Sequence, residues 1–275
     1  QNEIAAEILS RSEGSCSSWP EGWLADGGSA GFPAAVCTSL CRPAGGASWF
    51  HQRSLAGRQA QILVQIGMAG RFISLEGGEG TGKSTQVRRL AESLQKRGFA
   101  VLTTREPGGS SGAEEIRALM VNGEPGRWDA MTETLLAYAA RSDHVARTIG
   151  PALLAGTWVV TDRFSDSTFA YQGAGRGMDR ETIRRIESAV LDDFKPDFTL
   201  ILDLDVNVGL QRARARGEGE DRFEKFGTEF HERLRQCFLD IARRNPERCR
   251  VIDASGSQDE VAAAILKAVT TRFDL

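Results

Sequence analysis

The apolar run Phe72-Ile73-Ser74-Leu75 leads within two residues into Gly77-Gly78-Glu79-Gly80-Thr81-Gly82-Lys83-Ser84, and that order constrains the chain more than any other feature. The second segment fits G-x-x-x-x-G-K-[ST], a loop that wraps phosphate. Its glycines let the backbone curl until several N–H groups point inward at anionic oxygens. Lys83 brings a mobile positive charge for β- and γ-phosphates, and the Ser84 hydroxyl suits Mg²⁺. Behind the loop, Val87, Leu90, Ala91 and Leu94 recur at helical spacing, so a helix N-terminus should aim its dipole at the same anion. Strand, glycine loop, Lys-Ser and helix together imply that the chain binds a nucleoside triphosphate.

The same alternation continues to the C-terminus. Apolar strand-like runs are expected at Phe72–Leu75, Phe99–Thr103, Trp158–Thr161, Phe198–Leu204 and Arg250–Ile252. Helical spacing fills the intervals at Lys83–Arg97, Glu114–Val121, Thr132–Leu154, Arg180–Leu191, Asn207–Arg216, Glu224–Arg244 and Asp259–Val269. Ala174–Gly177 and Gly217–Asp221 read as loops. Strands that are apolar almost throughout are covered on both faces, and strand–helix alternation builds a parallel sheet with right-handed crossovers. The expected fold class is therefore α/β, with a central five-stranded parallel sheet flanked by helices in three layers. Ligands on such sheets gather at the carboxyl ends of the strands. Four of those ends are polar here: Glu76 to Ser84, Arg105-Glu106-Pro107, Asp162-Arg163, and Asp203 with Asp205.

Composition matters chiefly because it is uneven. Residues 1–67 hold three of the five cysteines and three of the five tryptophans amid runs of Gly, Ser, Ala and Pro, with no sustained period. They lack the basic start and apolar stretch of a secretory signal, and they are too acidic for a mitochondrial transit peptide. Met68 stands directly before the first strand, so residues 1–67 are expected to be a non-native or disordered extension and 68–275 the folded domain. Cys37 and Cys41 could suggest a metal pair, but zinc needs four ligands and only Cys16 and His51 lie near in sequence. Cys237 and Cys249 in the body give no disulfide framework and fit a reducing, cytoplasmic setting. A net charge of −3 gives no pull toward nucleic acid or an anionic membrane, and no segment nears the ~20 apolar residues of a membrane span.

Within this frame, Asp162 ends an apolar strand next to the phosphate loop, where a carboxylate typically helps Ser84 hold Mg²⁺. Arg105 and Arg163 follow strands at the rim of the same cleft. Guanidinium forks match phosphate oxygens, so two arginines beyond those serving ATP point to a second phosphate on an acceptor. Arg212, Arg214, Arg216 and Arg222 flank a glycine- and acid-rich loop, expected to be a mobile lid spanning roughly residues 212–223. One of them would neutralise charge on the transferred group, because Gly80 leaves the phosphate loop without an arginine.

The segments Gly77 to Thr85, Arg105-Glu106-Pro107-Gly108-Gly109, Ala139-Ala140-Arg141, Asp162-Arg163-Phe164, Ser167-Thr168, Ala170-Tyr171-Gln172-Gly173 and Gly209 to Gly217 resemble bacterial thymidylate kinases in order and spacing. The resemblance covers residues 70–275 and implies a P-loop kinase fold, a homodimer, and transfer of the γ-phosphoryl of ATP to thymidine monophosphate with Mg²⁺. It implies that Lys83, Arg163, Arg216, Glu79 and Asp162 serve catalysis. Nucleotide binding would extend from the loop through Thr85 to Arg214 and Arg222 of the lid. Arg105 and Arg163 would grip the acceptor phosphate, Glu79 would approach the sugar 3′-hydroxyl, and Arg141 and Thr168 would meet the base. Tyr171, with Gln172 next to it, would occupy the place of a ribose 2′-hydroxyl. One departure stands out: the position four before Arg141, often a phenylalanine stacked on thymine, is Ala137, so stacking would come from Phe164 or Phe169.

Other readings stay open at this stage. A kinase for a different monophosphate or small metabolite would use the same fold. A non-catalytic ATP-binding regulator would have no chemical use for Lys83, Ser84, Asp162 and Arg163 together.

Overall fold

The computed structural model describes residues 70–124, 126–216 and 222–275. The proposed extension with its Cys37–Cys41 pair, and the 217–221 loop, lie outside the described residues, as does the side chain of Arg216. The elements run β1 (Phe72–Glu76), α1 (Lys83–Gln95), β2 (Val101–Arg105), α2 (Ser111–Val121), α3 (Ala130–His144), α4 (Gly150–Leu154), β3 (Trp158–Asp162), α5 (Ser165–Thr168), α6 (Arg180–Leu191), β4 (Phe198–Asp203), α7 (Val206–Arg216), α8 (Thr228–Arg244), β5 (Cys249–Asp253) and α9 (Gln258–Phe273).

All strand pairs are parallel, in the order β2-β3-β1-β4-β5. The sheet therefore reverses direction of growth at β1, and the crevice that opens there faces the phosphate loop. Period-two alternation explains why the strands read as continuously apolar. Phe72, Val159 and Ile201 enter one core with α6, α8 and the Ile149–Leu153 stretch. Ile73, Leu75, Val160, Leu200 and Leu202 enter the other, with Leu90 and Leu94 of α1 and Ile265 and Val269 of α9. Each such side chain contributes about 1.5–3 kcal/mol on burial. Three layers follow directly.

The differences from the expected elements are local. The second strand starts at Val101 rather than Phe99, because Gly98 turns the chain with φ 90° and the Phe99 ring packs on Trp158 at 4.9 Å. The helix expected from Thr132 to Leu154 runs from Ala130 but contains a π-helical turn at Val145–Ile149. Pro151, which has no amide proton to give, sits just beyond it. A second π-helical turn, Phe169–Gly175, continues α5, so the expected loop at Ala174 begins as helix. α8 begins only at Thr228, after Gly227, rather than at Glu224.

Candidate active site

The phosphate loop is shaped by three left-handed glycines, Gly77, Gly80 and Gly82, with φ 138°, 68° and 88°. Gly80 carries a second constraint: a Cβ there would lie 1.9 Å from the backbone oxygen of Gly209 in α7. A Cβ on Gly209 would in turn lie 2.5 Å from the Glu79 carbonyl. Loop and helix touch backbone to backbone, which excludes any side chain, arginine included, at position 80.

Lys83 curls back over its own loop, donating from Nζ to the carbonyls of Gly78 at 2.7 Å and Gly77 at 3.3 Å and to Thr81 Oγ1 at 3.3 Å. Burial lowers its ammonium to about 8, helped by Arg163 and opposed by the carboxylates of Asp162, Glu79 and Glu76. Ser84 Oγ donates to Asp162 Oδ2 at 2.6 Å, so the two oxygens expected to serve a cation meet across the crevice. Such all-oxygen pairs suit Mg²⁺, which is held by one or two carboxylates or hydroxyls together with substrate phosphates.

Beside them a cleft of ≈220 Å³ opens between the phosphate loop, the ends of β2 and β3, and α3. Arg163 sits at its centre in a left-handed conformation, φ 73°. Its guanidinium donates to the Gly77 carbonyl at 2.8 Å, to Ser167 Oγ at 3.2 Å and to Glu79 Oε1 at 3.1 Å, and lies 4.8 Å from the Tyr171 ring centroid. Glu79 Oε1 also accepts from the Tyr171 hydroxyl at 2.6 Å. Burial would raise the Glu79 carboxyl, but Arg163, Lys83 and the Tyr171 hydroxyl outweigh it and hold the group at about 2. Burial pushes the Tyr171 phenol well up, so it stays a neutral donor. The result is an ionised Glu79 carboxylate held between a guanidinium and a neutral phenol inside the cleft.

Arg141 forms the floor. It donates to Glu106 Oε2 at 2.6 Å, Thr168 Oγ1 at 3.1 Å and the Phe164 carbonyl at 3.1 Å. Three of its five N–H groups are thus spoken for, and two remain for a ligand. Arg105 stands at the exposed rim, paired with Glu114 at 3.1 Å. Gln172 lines the cleft while its amide donates to Glu133 at 2.7 Å.

The structure thus gathers Glu79, Gly80, Gly82, Lys83, Ser84, Arg105, Arg141, Asp162, Arg163, Thr168, Tyr171 and Gln172 around one cleft, as expected from sequence. Other expectations need correcting. Arg222 does not face the nucleotide site: it is fully buried, donating to the carbonyls of Glu124 at 3.0 Å and Met120 at 2.9 Å and to Glu133 at 2.5 Å. Arg214 is exposed on α7; Gly77, Gly78 and Thr81 stay within the phosphate loop and also line a small cavity behind it. Asp203 and Asp205, expected at the convergence, serve structure instead. Asp203 takes a two-pronged bond from Arg235 at 2.7 and 3.1 Å, and Asp205 caps the first turn of α7. Of the two candidate stacking rings, Phe169 packs against Arg180 away from the cleft. Phe164 belongs to the cleft wall but is buried, its ring edge-on to Phe72 at 4.9 Å. Phe223, edge-on to Tyr171 at 5.3 Å, lines the same cleft as Ala137.

Sequence reasoning missed the supporting carboxylates. Glu106 orients Arg141 and is hydrogen-bonded through Oε1 to His144 Nδ1 at 3.0 Å, and Glu133 binds Arg222, Arg176 and Gln172. Glu106 sits inside a motif and Glu133 in a helical run, but the partners of both lie 35 or more residues away, so no local signal assigns them.

A family model for thymidylate kinase matches residues 75–265. The chain belongs to the thymidylate kinase family. It is 57% identical over 206 residues to the thymidylate kinase of Caulobacter vibrioides, covering 75% of this chain and 99% of that relative. It is 54% identical over 202 residues to that of a Jannaschia species, covering 74% and 97%. A crystal structure of thymidylate kinase from Ehrlichia chaffeensis superposes with a TM-score of 0.59 at 35% identity, covering 73% of this chain and 98% of that one.

Proposed function

We infer that this chain transfers the γ-phosphoryl group of ATP to thymidine monophosphate, giving thymidine diphosphate and ADP. The observation that carries this reading is the Arg163–Glu79–Tyr171 cluster facing the phosphate loop. It is a second anion site set across from the first, which a simple ATP hydrolase would not need. Family membership then supports the identity of the acceptor.

In this reading the acceptor phosphate lies against Arg163, with Arg105 swinging from Glu114 to meet it. Glu79, ionised at any physiological pH, accepts from the sugar 3′-hydroxyl. The Tyr171 phenol is already tied to Glu79 and fills the space a 2′-hydroxyl would take. Arg141 and Thr168 meet the base edge, and Phe223 supplies an aromatic wall where Ala137 leaves room. Thr85 and the backbone of the phosphate loop hold the triphosphate. Mg²⁺, held by Ser84 and through Asp162, would neutralise phosphate charge. The acceptor phosphate is itself an oxyanion nucleophile and needs no general base, so rate comes from alignment and charge neutralisation by Lys83, Arg163 and a lid arginine such as Arg214 or Arg216.

The protein is proposed to act as a homodimer in a reducing cytoplasm. Leu119 on α2 and Met131 and Leu135 on α3 are apolar yet 40%, 44% and 52% exposed, which suits a surface closed by a second copy. Buried, unpaired Cys237 and Cys249 suit the compartment. No helix among the described residues is long and apolar enough to cross a membrane.

The test is a panel of deoxy- and ribonucleoside monophosphates assayed with ATP and Mg²⁺. Thymidine monophosphate should be the preferred acceptor, and preference for a ribonucleotide would defeat the reading. Lys83→Ala should abolish most turnover with thermal stability retained. Light scattering at several concentrations decides the oligomeric state.

A further inference from the structure

Arg163 poses a problem that the reaction alone does not solve. A non-glycine residue at φ 73° is strained and stays there only if its surroundings over-determine it. The amide of Arg163 is held by the Leu75 carbonyl at 2.9 Å, an extension of the β1–β3 ladder. Its carbonyl accepts from Thr161 Oγ1 at 3.0 Å. The next two holds both come from Glu76, the last residue of β1.

Glu76 is fully buried, and both of its oxygens are committed. Oε1 accepts from the Phe164 amide at 2.7 Å, the first N–H after the left-handed residue. Oε2 accepts from Ser167 Oγ at 2.6 Å, and that same hydroxyl oxygen accepts from the Arg163 guanidinium at 3.2 Å. One carboxyl group therefore grips the backbone on one side of Arg163 and the tip of its side chain on the other. Glu76 is also joined directly to Gly77, whose carbonyl accepts from both Arg163 and Lys83. It lines neither the cleft nor the smaller cavity behind the loop, so it is set back from the space a substrate would fill.

We propose that Glu76 is the positioning residue for Arg163, setting the guanidinium through Ser167 and the Phe164 amide so that it meets the acceptor phosphate. The site is costly for charge. Burial first, then the neighbouring Asp166, pushes the carboxyl up to about 8, against the pull of Ser167, Arg163 and the Phe164 amide. Asp166 is itself neutralised by a two-pronged bond from Arg248 at 2.7 and 3.0 Å. A neutral carboxyl and a glutamine amide each keep the acceptor for the Phe164 amide and reverse the second contact, their O–H or N–H donating to Ser167 Oγ, so both links survive. Glutamine should therefore replace Glu76 with little loss, whereas alanine should release Arg163.

The proposal rests on the acceptor reading above, and it is tested by separate KM values. Glu76→Gln, Glu76→Ala and Ser167→Ala are compared with the unaltered enzyme in steady-state assays with thymidine monophosphate and ATP varied in turn, alongside thermal unfolding. Ser167→Ala removes one link only and serves if Glu76→Ala fails to fold. Losing a hydrogen bond to a charged group should raise the acceptor KM roughly tenfold or more in Ser167→Ala and Glu76→Ala, with the ATP KM within about twofold. Glu76→Gln should stay within about threefold of the unaltered enzyme. Unchanged acceptor KM in a folded Ser167→Ala or Glu76→Ala enzyme overturns the proposal. So does an equal rise in both KM values, or a Glu76→Gln enzyme as impaired as Glu76→Ala. Failure of the unaltered enzyme to phosphorylate thymidine monophosphate would instead strike the acceptor reading.

Discussion

Replacing Arg222 separates two roles that a lid arginine can play. Its guanidinium is completely enclosed and bonds two carbonyls, Met120 at the end of α2 and Glu124 beyond it, as well as the buried Glu133 carboxylate. Removing one partner of a buried ion pair costs about 3–5 kcal/mol. Glu133 would keep Arg176 at 3.3 Å and the Gln172 amide at 2.7 Å, so the lower end, about 3 kcal/mol, applies to Arg222→Ala. For a domain of this size each kcal/mol moves Tm by about 2–4 °C, which gives a loss of about 6–12 °C. Because Glu133 also positions Gln172 in the cleft, the acceptor KM should rise while the ATP KM stays put. Differential scanning calorimetry and initial rates with each substrate varied measure both halves. A Tm within about 2 °C of the unaltered protein, combined with a tenfold rise in the ATP KM, would refute the reasoning. Arg222 would then be a nucleotide ligand after all.

Other outcomes follow from single contacts. Gly80→Ala should destabilise by more than the ~1–3 kcal/mol of a left-handed non-glycine residue, because it also collides with the Gly209 carbonyl. Gly82→Ala, with nothing within 4 Å of its Cβ, should show only the conformational part; equal Tm losses in the two would contradict the contact. Ser84→Ala should shift the Mg²⁺ concentration needed for half-maximal rate upward, and an unchanged Mg²⁺ titration would remove Ser84 from the cation site. Glu79 should shape acid stability. Its folded carboxyl, at about 2, binds a proton less readily than the unfolded one near 4.5, so its contribution is present above about 4.5 and lost as pH falls toward 2. That contribution is on the order of 3 kcal/mol. Glu79→Gln should flatten the stability profile in that window, and an unaltered acid slope would count against the Arg163–Glu79 pairing.

Much of this architecture was legible because it depends on local order. The phosphate loop, the two-faced apolar strands and the polar strand ends each write their structure into consecutive residues, and Ser84 meets Asp162 as that pattern implies. What stayed hidden depends on distant partners. Arg214, Arg216 and Arg222 look alike in sequence, yet Arg222 finds Glu133 at a separation of 89 residues and leaves the nucleotide side altogether. Glu76 was visible only as an acid closing an apolar strand; its partners Phe164 and Ser167 come from another strand end. The π-helical turns were invisible because an apolar face at helical spacing does not record one extra residue per turn.

The meeting of Gly80 with Gly209 limits how this enzyme can be rebuilt. With no side chain between them, the phosphate loop and the first turn of α7 behave as a single casting, so any displacement of the far end of α7 would have to be taken up beyond residue 209. Neither glycine can be exchanged alone. A loop carrying a larger residue at position 80 would need α7 shifted outward along with it, so the two segments can be transplanted between relatives only as a matched set.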